Sequence, residues 1–183
     1  MQVDIADTEI RFVDYPFAGA LVYPDGVIEV SAITEADPGA IPPHLRTVTG
    51  EMLFVHAEHR PALDDFCRRN TIAVRRRLDV WADLLEPFLD TWFDDEDQRA
   101  TEARLLGVGL AAQEIVEIRG RVERAMMSYN FDSMLWEWVH LNLYDLLSAA
   151  NGVLTRPEAR ATLGDPVALY RWAMEIAGRA VSS

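Results

Sequence analysis

The sequence predicts an α+β protein, with a small N-terminal antiparallel β-sheet of four or five strands followed by a bundle-like region of six or seven helices. Two observations carry this prediction. Apolar residues recur with a period of two in the first third of the 183-residue chain, and the period changes to 3.6 near Pro61. We therefore expect a β subdomain over residues 1–56 and a helical region over 57–183 packed against it, although the pattern leaves open a single domain.

The predicted sheet begins with a strand and a hairpin. Residues 9–13 alternate polar and apolar side chains, which is typical of a half-buried strand. Apolar runs at 20–23 and 27–33 flank a Pro-Asp-Gly turn at 24–26, where proline presets the first turn position and Asp and Gly tolerate the next ones. This pattern predicts a β-hairpin.

A second hairpin is predicted after a proline-containing loop at residues 38–43. Its two strands fall at 46–49 and 52–55, and Gly50 lies in the turn between them. Together these short strands would bury one face of an antiparallel sheet.

The first predicted helices follow the change of period. Pro61 suits the first turn of a short helix, because an amide donor is not needed there. The apolar face of this helix consists of Leu63, Phe66 and Cys67. Pro87 should end the next helix near Glu86, because proline cannot continue the hydrogen-bond ladder. The apolar stripe of that helix consists of Leu78, Trp81, Leu84, Leu85, Phe88 and Trp92.

Three helices are predicted in the middle of the chain. The first covers residues 98–106 and ends at Gly107. The apolar face of the second consists of Ile115, Ile118, Val122, Ala125, Met126 and Tyr129. Residues 135–150 are apolar around almost the whole circumference, which predicts a central buried helix that ends at Gly152.

Two helices are predicted near the C-terminus. Thr155 suits the cap of a short helix over 157–163. Gly164, Asp165 and Pro166 are typical of a helix stop, an N-cap and a first helical residue, so they predict the start of the last helix. From the helical spacings we expect five side chains to be largely buried: Trp81, Leu85, Trp138, Leu146 and Trp172.

The charge balance excludes several classes of function. The chain has 30 Asp and Glu residues against 17 basic residues, for a net charge of -13, and all 17 basic residues are arginine. The missing lysine excludes a Schiff-base mechanism and a P-loop lysine. Because the pI is near 4.6, we expect neither nucleic acid nor a membrane as a partner.

Cysteine usage and the N-terminal residues predict a cytoplasmic protein. Cys67 is the single cysteine, so there is no intramolecular disulfide and no thiolate zinc pattern. The first residues show no basic and apolar leader pattern, and no run of about 18 apolar residues occurs. We expect no cofactor.

Two histidine clusters are candidate metal ligands. Glu137 and His140 form a Glu-x-x-His pair, which on a helix places both side chains on one side. Because the pair occurs once, a buried histidine bonded to Glu137 is the alternative. His56, Glu58 and His59 form the second cluster, at a strand-to-helix junction that could equally be solvated. A metal site would gather at least three of His56, Glu58, His59, Glu114, Glu117, Glu137 and His140.

Arginines and aromatic residues are candidates for partner contacts. Arg75, Arg76 and Arg77 could bind an anion or an acidic partner, or pair with the chain's own carboxylates, such as Asp79 and Asp83. We expect a monomer of this size to leave several aromatic side chains uncovered, which predicts a homodimer interface. The residues concerned are Trp92, Phe93, Trp136 and Trp138.

The function that these patterns favour is an acidic interaction or regulatory module that binds a basic protein partner. One alternative is a metal-dependent enzyme that uses the histidine and glutamate clusters. Another is a small-molecule sensor with an aromatic pocket between sheet and helices. We do not expect catalysis, because nothing in the spacing requires the candidate ligands to come together.

Overall fold

A computed structural model describes residues 1–89, 95–132, 140–152 and 154–179. The chain divides into two compact units, which we call the sheet unit (residues 1–77) and the helical unit (residues 78–183). The α+β class is confirmed, with seven strands and seven α-helices in the described part of the chain. The strands form two sheets rather than one.

The first sheet has three antiparallel strands in the order β1-β2-β3. The strands are β1 (Gln2–Ile5), β2 (Glu9–Val13) and β3 (Gly26–Glu29). Ile10, Phe12 and Ile28 are buried along one face, as the alternation in β2 predicts.

The predicted hairpin around the Pro-Asp-Gly turn is wrong. Residues 20–23 form no strand, and β3 pairs with β2 instead. The physical reason is that the apolar residues of this loop belong to the core. The amide of Tyr15 donates to the carbonyl of Pro24 at 2.7 Å, so the loop closes on itself. That closure buries Tyr15, Phe17 and Val22 without any ladder of hydrogen bonds.

The second sheet has four strands in the order β6-β5-β4-β7. The strands are β4 (Ile33–Asp37), β5 (His44–Thr47), β6 (Met52–Phe54) and β7 (Ala73–Val74). The predicted second hairpin is confirmed, because β5 and β6 pair antiparallel and Gly50 takes a φ of 84° in the turn. Strand β7 runs parallel to β4 at the sheet edge.

Helix α1 (Arg60–Asn70) belongs to the sheet unit. It carries Pro61 in its first turn and buries its predicted apolar face, including the free thiol of Cys67. Thr71 ends the helix in a left-handed conformation with a φ of 57°, and the chain then enters β7. The sheet unit therefore extends beyond residue 56, where the strand pattern of the sequence ends.

The helical unit contains six α-helices in its described residues. They are α2 (Val80–Leu85), α3 (Asp95–Gly107), α4 (Ala112–Asp132), α5 (Leu143–Asn151), α6 (Pro157–Arg160) and α7 (Pro166–Ala177). Helix α2 ends just before Glu86 and Pro87, as predicted. All six residues of the predicted apolar face of α4 are buried.

Two predicted features of the helical unit are wrong. The helix predicted over 135–150 begins at Leu143, because Asn142 is extended and caps it, while residues 133–139 lie outside the described residues. Thr155 does not cap α6; Arg156 directly precedes that helix. The Thr155 hydroxyl is buried and has no hydrogen-bond partner among the described residues.

The predicted core of the helical unit is largely confirmed. Trp81, Leu85 and Leu146 are fully buried, whereas Trp172 is half-buried and Trp138 lies outside the described residues. The Trp81 indole donates to the carbonyl of Ala173 at 2.9 Å and meets the ring of Trp172 edge-on. No helix in the described ranges is long and apolar enough to cross a membrane.

Candidate functional site

The predicted cluster of His56, Glu58 and His59 comes together on the surface of the sheet unit. A carboxylate oxygen of Glu58 lies 3.7 Å from Nδ1 of His56 and 3.6 Å from Nε2 of His59. A short 3-10 turn over Ala57–His59 brings the three side chains together. Within the described ranges, no three His, Cys, Asp or Glu side chains are arranged to hold a metal ion.

The other candidate ligands lie in the helical unit. His140 precedes α5 instead of lying on it, is half-exposed, and has its Nε2 4.0 Å from a carboxylate oxygen of Asp79. Its predicted partner Glu137 lies outside the described residues. Glu114 forms an ion pair with Arg179 at 2.7 Å, and Glu117 accepts a hydrogen bond from Gln113.

The predicted aromatic interface lies outside the described residues. All four of its residues fall outside the described part of the chain: Trp92, Phe93, Trp136 and Trp138. The homodimer stays a prediction.

The three predicted contact arginines differ in their surroundings. The guanidinium of Arg77 binds the carboxylate of Glu35 through two nitrogens, one of them 2.9 Å from its oxygen. Arg75 and Arg76 are exposed, and their guanidinium groups form no hydrogen bond or ion pair within the described residues, although the charge of Arg75 helps to lower the pKa of Glu35. Of the three, Arg75 and Arg76 are therefore the ones available to a ligand.

Sequence reasoning missed the buried carboxylate of Glu35. Besides Arg77, the Nε of Arg46 lies 3.4 Å from it, and Arg46 also donates to the carbonyl of Gly50. The hydrogen bond from Arg77 holds the pKa of Glu35 below its ordinary value, although burial opposes this. Glu35 and Arg77 lie 42 positions apart, so no local pattern could have joined them.

A second missed group is a set of arginine contacts, one ion pair and two hydrogen bonds to main-chain carbonyls, that joins three helices. Arg104 of α3 binds the carboxylate of Asp83 in α2 with two nitrogens, at 2.9 and 2.7 Å. Arg119 of α4 donates to the main-chain carbonyls of Asp83 and Leu84. The guanidinium groups therefore hold the helices together and are not directed at a ligand.

A third missed group surrounds Asp145, which is 3% exposed. Its carboxylate accepts hydrogen bonds from the amide of Asn142 at 2.9 Å and from the hydroxyl of Tyr129 at 3.3 Å. Burial, together with the negative charge of Asp79, raises the pKa of Asp145 to about 7. Burial also raises the pKa of the Tyr129 hydroxyl. The Asn-x-x-Asp spacing of a capping box was readable in the sequence.

Charge is distributed unequally between the two units. The sheet unit has 12 acidic residues and 8 arginines, and the helical unit has 18 acidic residues and 9 arginines. Five arginines of the helical unit are held by other groups of that unit: Arg104, Arg119, Arg121, Arg160 and Arg179. By contrast, Glu123, Glu158 and Glu175 are exposed and form no ion pair within the described residues.

Comparison of the chain with family models, with curated proteins and with solved structures finds no match.

Proposed function

We propose that the protein is an interaction module whose helical unit binds a basic segment of a protein partner. One observation carries the proposal: the helical unit uses much of its positive charge internally and turns carboxylates to the solvent. Arg104 and Arg119 hold helices together, and Arg121 lies 3.9 Å over the ring of Trp172. Glu123 and Glu175 remain exposed.

Such a surface attracts a basic partner by long-range electrostatics. Fixed surface charge of one sign raises the rate of encounter with the opposite sign, and salt weakens the effect. Bound guanidinium groups, held by hydrogen bonds as Arg104 is, do not move out to neutralise the exposed carboxylates. A reducing compartment such as the cytoplasm is the proposed setting, because the free thiol of Cys67 is compatible with it.

The test compares two triple variants with the same change of charge. One replaces Glu123, Glu158 and Glu175 of the helical unit with Gln. The control replaces exposed acids of the sheet unit: Asp4→Asn, Asp14→Asn and Glu29→Gln. Binding of a fluorescein-labelled peptide of alternating lysine and leucine is measured by anisotropy at low and moderate salt.

The helical-unit variant should weaken binding by about tenfold at low salt, since each exposed charge pair contributes up to about 1 kcal/mol. The sheet-unit control should bind nearly as the parent does. Equal weakening by both variants would show that net charge alone attracts the peptide. No binding at low salt would remove the proposed function altogether.

A further inference from the structure

At the β7 edge of the four-stranded sheet, the main-chain N–H and C=O of one residue form no hydrogen bond within the sheet. Glu35 pairs with Ala73 and Ala36 with Val74, and the amide of Arg75 donates to the carbonyl of Ala36 at 2.9 Å. In a parallel ladder of this register, Ala73 and Arg75 bond to β4. The N–H and C=O of Val74 therefore point away from the sheet, and within the described residues they form no hydrogen bond.

The side chains at this edge are also uncovered. Ala73 and Val74 are both exposed, so neither face of β7 is covered, and the Val74 side chain is 55% exposed. Arg75 and Arg76 follow directly. Both are exposed and form no hydrogen bond or ion pair in the described ranges, although the charge of Arg75 acts on Glu35, which Arg77 binds. The edge thus presents, in succession, a strand backbone, one apolar side chain and two exposed guanidinium groups.

We propose that this edge binds an extended acidic segment of a partner protein as an added strand. The partner's main chain would bond to the N–H and C=O of Val74, as in other cases of strand addition. Because side chains alternate along both strands, an apolar residue would lie beside Val74 and carboxylates beside Arg75 and Arg76. This surface consists of other residues than the carboxylates of the proposed function.

Charge decides between an acidic partner and a second copy of this chain. Edge-to-edge pairing of two β7 strands would bring the arginines of one copy close to those of the other. Charged residues on an edge strand are a common means by which proteins prevent self-association. The same two guanidinium groups attract a strand that carries carboxylates, because arginine and carboxylate groups can form two parallel hydrogen bonds.

The probe is the fluorescein-labelled peptide Thr-Glu-Glu-Val-Glu-Glu-Thr, which reads the same in both directions and so fits parallel or antiparallel addition. The acidic peptide should bind the full-length protein. A peptide with Gln in place of Glu should bind at least about tenfold more weakly. Equal binding of the two peptides would overturn the proposal.

Protein variants separate the backbone contribution from the charge contribution. Val74→Pro removes the outward N–H without touching the ladder to β4, and should weaken binding at least about fivefold. Val74→Thr keeps the N–H and the branched shape, and should bind as the parent does. The double variant Arg75→Gln, Arg76→Gln should weaken binding of the acidic peptide about tenfold and remove the salt dependence of that binding. Parent-like binding by both Val74→Pro and the arginine variant would overturn the proposal.

Hydrogen exchange provides a measurement that needs no substitution. The amide of Val74 should exchange rapidly in the free protein and become protected when the acidic peptide binds. Unchanged exchange with bound peptide would place the peptide elsewhere. Neutralising Glu123, Glu158 and Glu175 should leave this affinity within about twofold, because these residues are not among the groups that bond to the peptide and salt screens exposed charges. Loss of acidic-peptide binding at β7 can therefore be distinguished from loss of basic-peptide binding, which tests the proposed function.

Discussion

Glu35 in the sheet unit and Asp145 in the helical unit are both buried carboxylates, yet they are stabilised in opposite ways. Glu35 is bound by Arg77 and approached by Arg46. Asp145 receives hydrogen bonds from Asn142 and Tyr129, and no arginine contacts it in the described residues. Arginine pairing lowers the pKa of Glu35, whereas burial raises that of Asp145 to about 7. Uncharged hydrogen bonds alone therefore do not offset the cost of burying the charge.

The largest expected effect is a loss of stability as Asp145 ionises. Its pKa in the folded protein, about 7, exceeds the ordinary value of 3.8, so the folded state keeps a proton that the unfolded state releases. The free energy of unfolding should fall by on the order of 4 kcal/mol as pH rises from about 4 to about 8. Asp145→Asn should remove this dependence, as measured by urea unfolding across that range. An unchanged pH profile in the variant would contradict the raised pKa.

The next largest effect should come from Arg77→Ala. This substitution leaves Glu35 buried with Arg46 as its remaining cation, and should reduce the free energy of unfolding by about 3 kcal/mol. Arg76→Ala is the matched control, because its side chain is exposed and has no partner in the described residues. The control should stay within about 0.5 kcal/mol of the parent in urea unfolding. Equal effects of the two variants would show that Arg77 contributes little.

Lowering the pH should change the contributions of Glu35 and Asp145 to the free energy of unfolding in opposite directions. The folded-state pKa of Glu35 lies below its ordinary value of 4.5, so its stabilisation is complete above that pH and is lost as pH falls through the folded value. Glu35→Gln should therefore be less stable than the parent at neutral pH, and the difference should shrink in acid. Thermal unfolding at several pH values measures this, and a difference that grew in acid would contradict the assignment.

The smallest expected change in stability concerns Thr155. Its hydroxyl is buried and has no hydrogen-bond partner, charged or uncharged, among the described residues. Thr155→Val keeps the shape and removes the unsatisfied group, so it should raise the free energy of unfolding by about 1 kcal/mol. Thr162→Val is the control, because that hydroxyl donates to the carbonyl of Ala159. Destabilisation by Thr155→Val would indicate a hydrogen bond that the described residues do not supply.

Elements whose pattern is local were predictable. The burial of α4 follows from six apolar residues at helical spacing, and the start of α7 follows from Gly164, Asp165 and Pro166. The prediction of the first hairpin was wrong because apolar residues of a loop can also be buried in the core, as Val22 is. Apolar periodicity over 135–150 also concealed the cap at Asn142, which was readable in the sequence.

The candidate sites were less predictable, because they depend on contacts between distant residues. The proximity of His56, Glu58 and His59 was predictable from the sequence, because the three residues lie within four consecutive positions. The pairing of Glu35 with Arg77 spans two elements that only the fold makes adjacent. The sequence offers Asp79 and Asp83 as nearby carboxylates for the arginines at 75–77, but Arg104 binds Asp83.

The burial of Cys67 in α1 has a consequence for observing the two units separately. All five tryptophans lie at or beyond position 81, in the helical unit, while the single cysteine lies in the sheet unit. Burial raises the pKa of the Cys67 thiol to about 11, so alkylation must await local or global opening of its surroundings. Tryptophan fluorescence and the rate of thiol alkylation therefore report on different halves of the molecule. Coincident denaturant transitions by the two probes would indicate one cooperative unit, and separated transitions would indicate two.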